Sequence, residues 1–289
     1  MPVTRENHSF VDTQGVTVYY YVWKAAQPRA VLQVAHGLGE YATRYEALAQ
    51  AFVEAGISVY ADDHRGHGQT GLDQNGGDHS KLGKLGAGGL RAATEDLHQL
   101  TGIIKSENPS VPVVFLGHSW GSLMGQRLIN EHIGDFVAVI LSGTAYRAPG
   151  SMNAGNLNAK HKHLGTTGYE WLSRDEAISA AFVADPLTFY ADALKLFGVV
   201  DGLRLFGVPR KPMPADVPLL IVIGSEDPLG GERSVEKLAD AYIQRGGLSD
   251  VKVVIYEEAR HEVFNETNRD EVIADLIGWL DRRLTAAAV

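Results

Sequence analysis

The chain has 289 residues, 45% of them hydrophobic and 21% charged, which are the proportions of an ordinary globular protein with a large core. A formal net charge of −9 without any basic stripe argues against nucleic acid as a partner. The absence of cysteine excludes disulfides, thiolate catalysis and thiolate-held metals.

The first residues, Met1-Pro2-Val3-Thr4-Arg5-Glu6-Asn7-His8, carry no apolar signal-peptide core, and no apolar run approaches the length of a membrane span; both predict a cytoplasmic protein. Residues 16–23, rich in β-branched and aromatic types, predict a strand. Residues 30–35 predict a second, more buried strand that ends in His36-Gly37-Leu38-Gly39-Glu40. Tyr45, Leu48, Ala49, Phe52 and Val53 share one face of a helix that Gly56 stops. A strand over 57–61 runs into the polar loop Asp62-Asp63-His64-Arg65-Gly66-His67-Gly68-Gln69-Thr70, and the Gly-rich residues 71–89 predict further loop. Leu90, Ala93, Leu97, Leu100 and Ile104 recur at helical spacing up to Asn108-Pro109.

Next comes the stretch with the clearest chemistry. Residues 113–116 read as a buried strand, Gly117-His118-Ser119-Trp120-Gly121 is a G-x-S-x-G turn, and residues 122–129 read as a helix. Strand, tight turn and helix are the context in which this motif exposes a serine hydroxyl at a strand end. The helix N-terminus behind it offers unpaired N–H groups and a partial positive charge. A further strand spans 136–142.

Alternation then stops until the strand at 218–224, so residues 146–214 predict a cap inserted into a core made of 1–145 and 215–289. Ser173-Arg174-Asp175-Glu176 has the capping-box pattern. Asp185-Pro186 predicts the start of a second cap helix with Leu187, Tyr190, Leu194 and Phe197 on one face. That helix is apolar nearly all round, so Leu194, Phe197, Val200 and Leu203 are candidates for lining a substrate pocket. Val235, Leu238, Ala239 and Tyr242 predict a helix, 251–256 a strand, and Val272, Ile273, Leu276, Ile277, Leu280 and Leu284 a last helix. Such alternation predicts an α/β fold: a mostly parallel sheet with helices on both faces, and a ligand site beyond the carboxyl ends of its strands.

A nucleophilic serine needs a base, and the base needs an orienting acid. Asp227 follows the strand at 218–224, and His261 follows the strand at 251–256. Ser119, Asp227 and His261 therefore stand at strand ends in the order serine, acid, histidine. His36 and His118 are read as packing or hydrogen-bonding neighbours, His64 and His67 as stabilisers of their loop's turns. Lys160-His161-Lys162-His163 reads as a solvated face of the cap. This chemistry calls for no metal and no cofactor.

The chain resembles the α/β hydrolases, in particular the bacterial type of their monoacylglycerol lipase and lysophospholipase-like branch. The likeness rests on His36-Gly37-Leu38-Gly39-Glu40, Asp63-His64-Arg65-Gly66-His67-Gly68, Gly117-His118-Ser119-Trp120-Gly121-Ser122, Gly224-Ser225-Glu226-Asp227 and His261, with Tyr169-Glu170-Trp171-Leu172-Ser173-Arg174-Asp175 and Ala184-Asp185-Pro186-Leu187 in the cap. It implies an α/β-hydrolase fold with an inserted helical cap, Ser119 as nucleophile, His261 as general base and then acid, Asp227 as its orienter, and the backbone N–H groups of Leu38 and Trp120 as the oxyanion hole. It also implies a small-molecule ester as partner. The branch more usually has methionine after the nucleophile; Trp120 and the polar first part of the cap point to monoesters of short to medium acyl chain. A compact anionic ester would meet Lys160, Lys162 or Arg174. The rival functions are an aminopeptidase or amidase of the same fold, and a non-catalytic small-molecule receptor. Serine at 119 in place of aspartate disfavours dehalogenase and epoxide-hydrolase chemistry.

Overall fold

A computed structural model describes residues 4–153 and 155–284. The chain runs β1 (Arg5–Val11), β2 (Thr17–Trp23), β3 (Ala30–Ala35), α1 (Glu46–Glu54), β4 (Ile57–Asp62), α2 (Gly68–Gln74), α3 (Gly89–Glu107), β5 (Val113–His118), α4 (Trp120–His132) and β6 (Ala138–Ser142). It continues through α5 (Glu176–Ala184), α6 (Ala193–Arg204), β7 (Leu219–Gly224), α7 (Glu232–Asp240), β8 (Val251–Tyr256) and α8 (Arg269–Leu284). The eight strands form one sheet in the order β1-β2-β4-β3-β5-β6-β7-β8. From β4 across to β8 all pairs are parallel, while β1 and β2 are antiparallel additions at one edge.

The period-2 geometry of β5 divides the core. Val113 and Phe115 face one hydrophobic cluster with Leu97, Leu100 and Leu123, and Val114 and Leu116 face the other with Phe52, Leu276 and Trp279. Helices α3, α4 and α7 thus cover one face and α1 and α8 the other. This double coverage is why the central strands read as unbroken apolar runs.

Several elements differ from the sequence expectation. β1 alternates exposed and half-buried residues at the sheet edge, so its sequence lacks the apolar signal of the inner strands. The loop expected over 71–89 begins inside α2 and contains a short 3₁₀ turn, His79–Lys81. The first cap helix is capped by Asp175, whose side chain accepts from the Ala177 N–H, and not by Ser173. The second does not start at Asp185; residues 185–192 are irregular, and Asp192 caps α6 by accepting from the Lys195 N–H at 3.1 Å. Among the described residues, no helix is long and apolar enough to cross a membrane.

One buried ion group ties the antiparallel edge to the rest. Arg65, fully buried in the loop after β4, donates from Nε to Asp96 of α3 at 2.6 Å and from Nη1 to the Ala87 carbonyl at 2.7 Å, and it pairs with Asp12 in the β1–β2 turn. Asp12 in turn accepts from the Gln14 and Val16 amides at 2.7 and 2.8 Å. Arg65→Met would leave two buried carboxylates with no counter-charge. It should cost about 3–5 kcal/mol of unfolding free energy, measured by urea denaturation; a loss under about 1 kcal/mol, the level of an exposed pair, would show that the group does not anchor the edge.

Candidate active site

The G-x-S-x-G turn is built where β5 meets α4. Ser119 caps the helix with φ 52° and ψ −123°, a left-handed conformation that is costly for a residue with a side chain. Its amide donates to the Ser142 carbonyl of β6 at 2.9 Å, and its carbonyl accepts from the Ser122 hydroxyl at 2.6 Å. The glycines on each side are required by close approach: a Cβ on Gly117 would stand 2.7 Å from the Gly121 carbonyl oxygen, and one on Gly121 would stand 2.5 Å from that of His36.

Asp227, after β7, and His261, after β8, meet across 34 residues of sequence. Nδ1 of His261 donates to Asp227 Oδ1 at 2.9 Å, an oxygen that also accepts from the Leu229 amide at 2.8 Å. The carboxylate accepts, so the proton of the neutral ring lies on Nδ1 and the lone pair on Nε2. That Nε2 is buried and has no hydrogen-bond partner among the described residues, so the Ser119 hydroxyl does not yet bond to it. Ser119 and His261 both line one cavity of about 340 Å³. Such contacts are often long before substrate binds. Burial opposes protonation of His261; the charge and hydrogen bond of Asp227, with Glu262 and Glu40 nearby, together outweigh it and raise the pKa above the ordinary histidine value.

Leu38 and Trp120 also line this cavity. The Trp120 N–H is the first of α4 and has no intrahelical acceptor. The Leu38 N–H has no protein acceptor among the described residues, and its direction follows from His36. Burial, with His64 and His67 adjacent, holds the His36 pKa well below its usual value, so the ring is neutral. Its Nε2 accepts from the His64 amide at 3.0 Å, which leaves Nδ1 as the donor to the Gly37 carbonyl at 2.7 Å. In a trans peptide the carbonyl and the following N–H point oppositely. Holding the Gly37 carbonyl down therefore turns the Leu38 N–H away from it.

A charged group behind this loop escapes a reading by motif or apolar pattern. Glu40 accepts from the Gly37 amide at 2.6 Å and the Tyr45 hydroxyl at 2.8 Å. Arg44 donates to Glu40 at 2.5 Å and, bidentately, to Glu262 at 2.8 and 2.9 Å. Burial would raise the Glu262 pKa, but Arg44 wins and holds it at about 2. Glu40, His118 and Glu262 lie close enough to hold an ion, yet the Arg44 guanidinium already satisfies both carboxylates there. The i, i+4 spacing of Glu40 and Arg44 is the one signal of this group that the sequence holds.

Residues between β6 and β7 cover the site and bring Met152, Asn156, Asn158, Tyr169 and Phe182 to the cavity. Of the four pocket candidates, Phe197 lines it, stacked on Trp120 at 5.5 Å between ring centres. Val200 and Leu203 do not: they are 63% and 64% exposed. Gly198, at φ 64° and ψ −171°, interrupts α6 just after Phe197 and breaks the continuous face on which the expectation relied. The Leu194 side chain lies outside the described residues. The cations expected to meet an anionic ester are engaged elsewhere: Lys160 pairs with Glu226, and Arg174 donates to Glu266 at 2.9 Å and Glu258 at 3.3 Å. None of Lys160, Lys162 and Arg174 lines the cavity.

The cap and the His261 loop are stitched together. The His261 and Glu262 amides donate to the Trp171 and Leu172 carbonyls at 3.3 and 2.7 Å. Arg260 donates to the Glu170 and Ser173 carbonyls at 2.5 and 2.8 Å, and buried Glu266 accepts from both the Arg174 and Arg260 amides. Phe189, in the second half of the cap, donates to the Gly39 carbonyl at 3.1 Å.

The serine aminopeptidase (S33) family model matches residues 26–268. A monoacylglycerol lipase of Mycolicibacterium smegmatis is 33% identical over 96% of this chain and 97% of its own length. The human monoglyceride lipase is 26% identical over 96% of this chain and 91% of its own length. Among solved structures, a thermostable carboxyl esterase from Bacillus coagulans superposes with a TM-score of 0.77 at 25% identity, covering 97% of this chain and 99% of that one. A soluble variant of the Saccharomyces cerevisiae monoglyceride lipase shares the fold at a TM-score of 0.73 and 20% identity, covering 98% and 96% of the two chains.

The His261 ring should titrate above the ordinary value of about 6.5, read by NMR of histidine-labelled protein: protonated below that raised pKa, neutral with a free Nε2 above it. Asp227→Asn removes the charge that raises the pKa, so the midpoint should fall. A wild-type midpoint below that of an ordinary histidine would contradict the balance described here.

Proposed function

Because the chain belongs to the serine aminopeptidase S33 family of α/β hydrolases, and is similar along nearly its whole length to monoacylglycerol lipases, we propose that it is a carboxylic-ester hydrolase of monoacylglycerol lipase type that works through a Ser119-His261-Asp227 triad. The observation that carries this is the Asp227–His261 hydrogen bond of 2.9 Å, which leaves Nε2 as a free base on the wall of the cavity that Ser119 also lines. Ser119 Oγ attacks the ester carbonyl while Nε2 takes its proton. The carbonyl oxygen, now charged, receives the Leu38 and Trp120 N–H groups, aided by the N-terminal dipole of α4. The imidazolium returns its proton to the leaving alcohol, and water repeats the sequence on the acyl-enzyme.

In this reading residues 146–214 act as the cap that selects the substrate. Trp120, backed by His67 at 5.1 Å and Phe197 at 5.5 Å between ring centres, closes one side of the acyl pocket. The family description makes peptide substrates the rival. An aminopeptidase must seat a free ammonium group, and the carboxylates among the described lining residues have partners: Glu40 and Glu262 share Arg44, and Asp192 holds Lys195. We therefore favour the ester.

Ser119→Ala or His261→Ala should lower kcat by about five to six powers of ten, and Asp227→Ala by about four to five, because Asp227 orients the base and does not itself exchange a proton with substrate. Near-wild-type turnover in Asp227→Ala, measured on an uncharged ester, would assign the orienting role to another carboxylate. Along a ladder of monoesters, each added methylene should contribute up to about 0.8 kcal/mol of transition-state binding, so kcat/KM should climb a few-fold per step and then fall where the pocket ends. A profile still climbing at long acyl chains, or faster cleavage of aminoacyl amides than of esters, would count against this substrate class.

A further inference from the structure

We propose that His98, His132 and Asp135 form a binding site for a borderline divalent transition-metal cation such as zinc. The three come from adjacent pieces of the fold. His98 lies on α3, His132 is the last residue of α4, and Asp135 lies in the 3₁₀ turn Ile133–Asp135 that follows. Ser119 caps the opposite end of α4, so the helix rise of about 1.5 Å per residue puts the cluster roughly 20 Å from the nucleophile. Nothing in the hydrolytic reading uses these residues.

The donors are already gathered. The two imidazoles stack with centres 3.6 Å apart and planes within 17°, and His98 Nε2 lies 3.1 Å from Asp135 Oδ2. One ligand atom from each of the three can be chosen so that all lie within 4.8 Å of one another. All three residues are half-buried, which leaves an open side for water to complete the coordination. Two nitrogens bonded to zinc at about 2.0–2.1 Å in tetrahedral geometry stand about 3.3 Å apart, which is within the 4.8 Å span of the ligand atoms here. Near-parallel rings direct their in-plane lone pairs side by side, so one ring, His132, has to turn out of the stack for both to converge on an ion.

The donor set selects the ion. Two imidazole nitrogens and one carboxylate suit zinc, nickel or copper, whereas calcium and magnesium demand oxygen ligands. The His132 ring has no hydrogen-bond partner among the described residues, so turning toward an ion breaks no hydrogen bond and gives up only its stacking on His98. A competitor is also built in. Lys105 Nζ sits 2.7 Å from Asp135 Oδ1, so a bound cation shares that carboxylate with an ammonium group. A bound ion would tie α3 to the end of α4 and stabilise the fold by mass action, since the unfolded chain does not hold the three donors together.

The test is calorimetric titration of the whole, chelator-treated protein with zinc chloride, paired with melting curves. Wild type should show one saturable site and a melting temperature that rises with zinc. His132→Ala should bind about tenfold more weakly or worse and lose the thermal shift. Lys105→Met, which removes the competing ammonium, should bind several-fold more tightly. Ester hydrolysis without zinc should be the same in all three, which separates this proposal from the catalytic one. Superimposable isotherms for wild type and His132→Ala, or no saturation by about 1 mM zinc, would overturn the site. An unchanged isotherm in Lys105→Met would also overturn it, because the ion would then not lie on Asp135.

Discussion

The centre of the molecule depends on one backbone conformation, the left-handed Ser119 between β5 and α4. A residue in such a region costs about 1–3 kcal/mol and persists only where the surroundings over-determine it. Here they do. The Ser119 amide is pinned to β6, its carbonyl is pinned by Ser122, and α4 crosses the sheet so closely that a side chain at Gly117 or Gly121 would strike backbone. The strands that carry this strain are fully buried on both faces. Strand burial thus supports the strain, and the strain lifts the hydroxyl above the sheet and exposes the first amide of the helix beneath it.

The facing loop is held by electrostatics of the opposite kind, many favourable contacts on an unstrained chain. A neutral His36 fixes the Gly37 carbonyl, Glu40 fixes the Gly37 amide, and Arg44 binds Glu40 to Glu262, the residue that follows His261. Two buried carboxylates around one guanidinium are strongly destabilising when broken, yet contribute little net stability when intact. Their use here is geometric: they place the Leu38 amide and the His261 loop in one frame.

Much of this is legible in the sequence because several physical requirements coincide at the same residues. The turn at Ser119 demands small neighbours, doubly covered strands demand apolar runs, and the acid and base must follow strands that reach the same edge. The edge strand β1 escapes because a half-exposed strand need not be apolar. The second cap helix is misread because counting one apolar face assumes an unbroken helix, whereas residues 185–192 are irregular and Gly198 interrupts α6. Val200 and Leu203 consequently sit outside the cavity, with Phe197 inside. The Arg44–Glu262 pairing spans 218 residues, a separation over which charge alone carries no pattern.

The stitching of residues 170–174 to residues 259–266 has a consequence for how such chains can be recombined. The segment carrying His261 borrows backbone partners from the cap, and buried Glu266 accepts from the Arg174 side chain and from the Arg174 and Arg260 amides. A cap exchanged between relatives as one block would keep those backbone partners only where its chain followed the same path, and it would leave buried Glu266 without the Arg174 guanidinium unless the incoming cap carried an arginine there. The unit of exchange is therefore discontinuous: the first half of the cap travels with the histidine loop, whereas the second half meets the core at separate places, through Phe189 and Gly39, Asp185 and Tyr41, and Asp201 and the Leu90 amide.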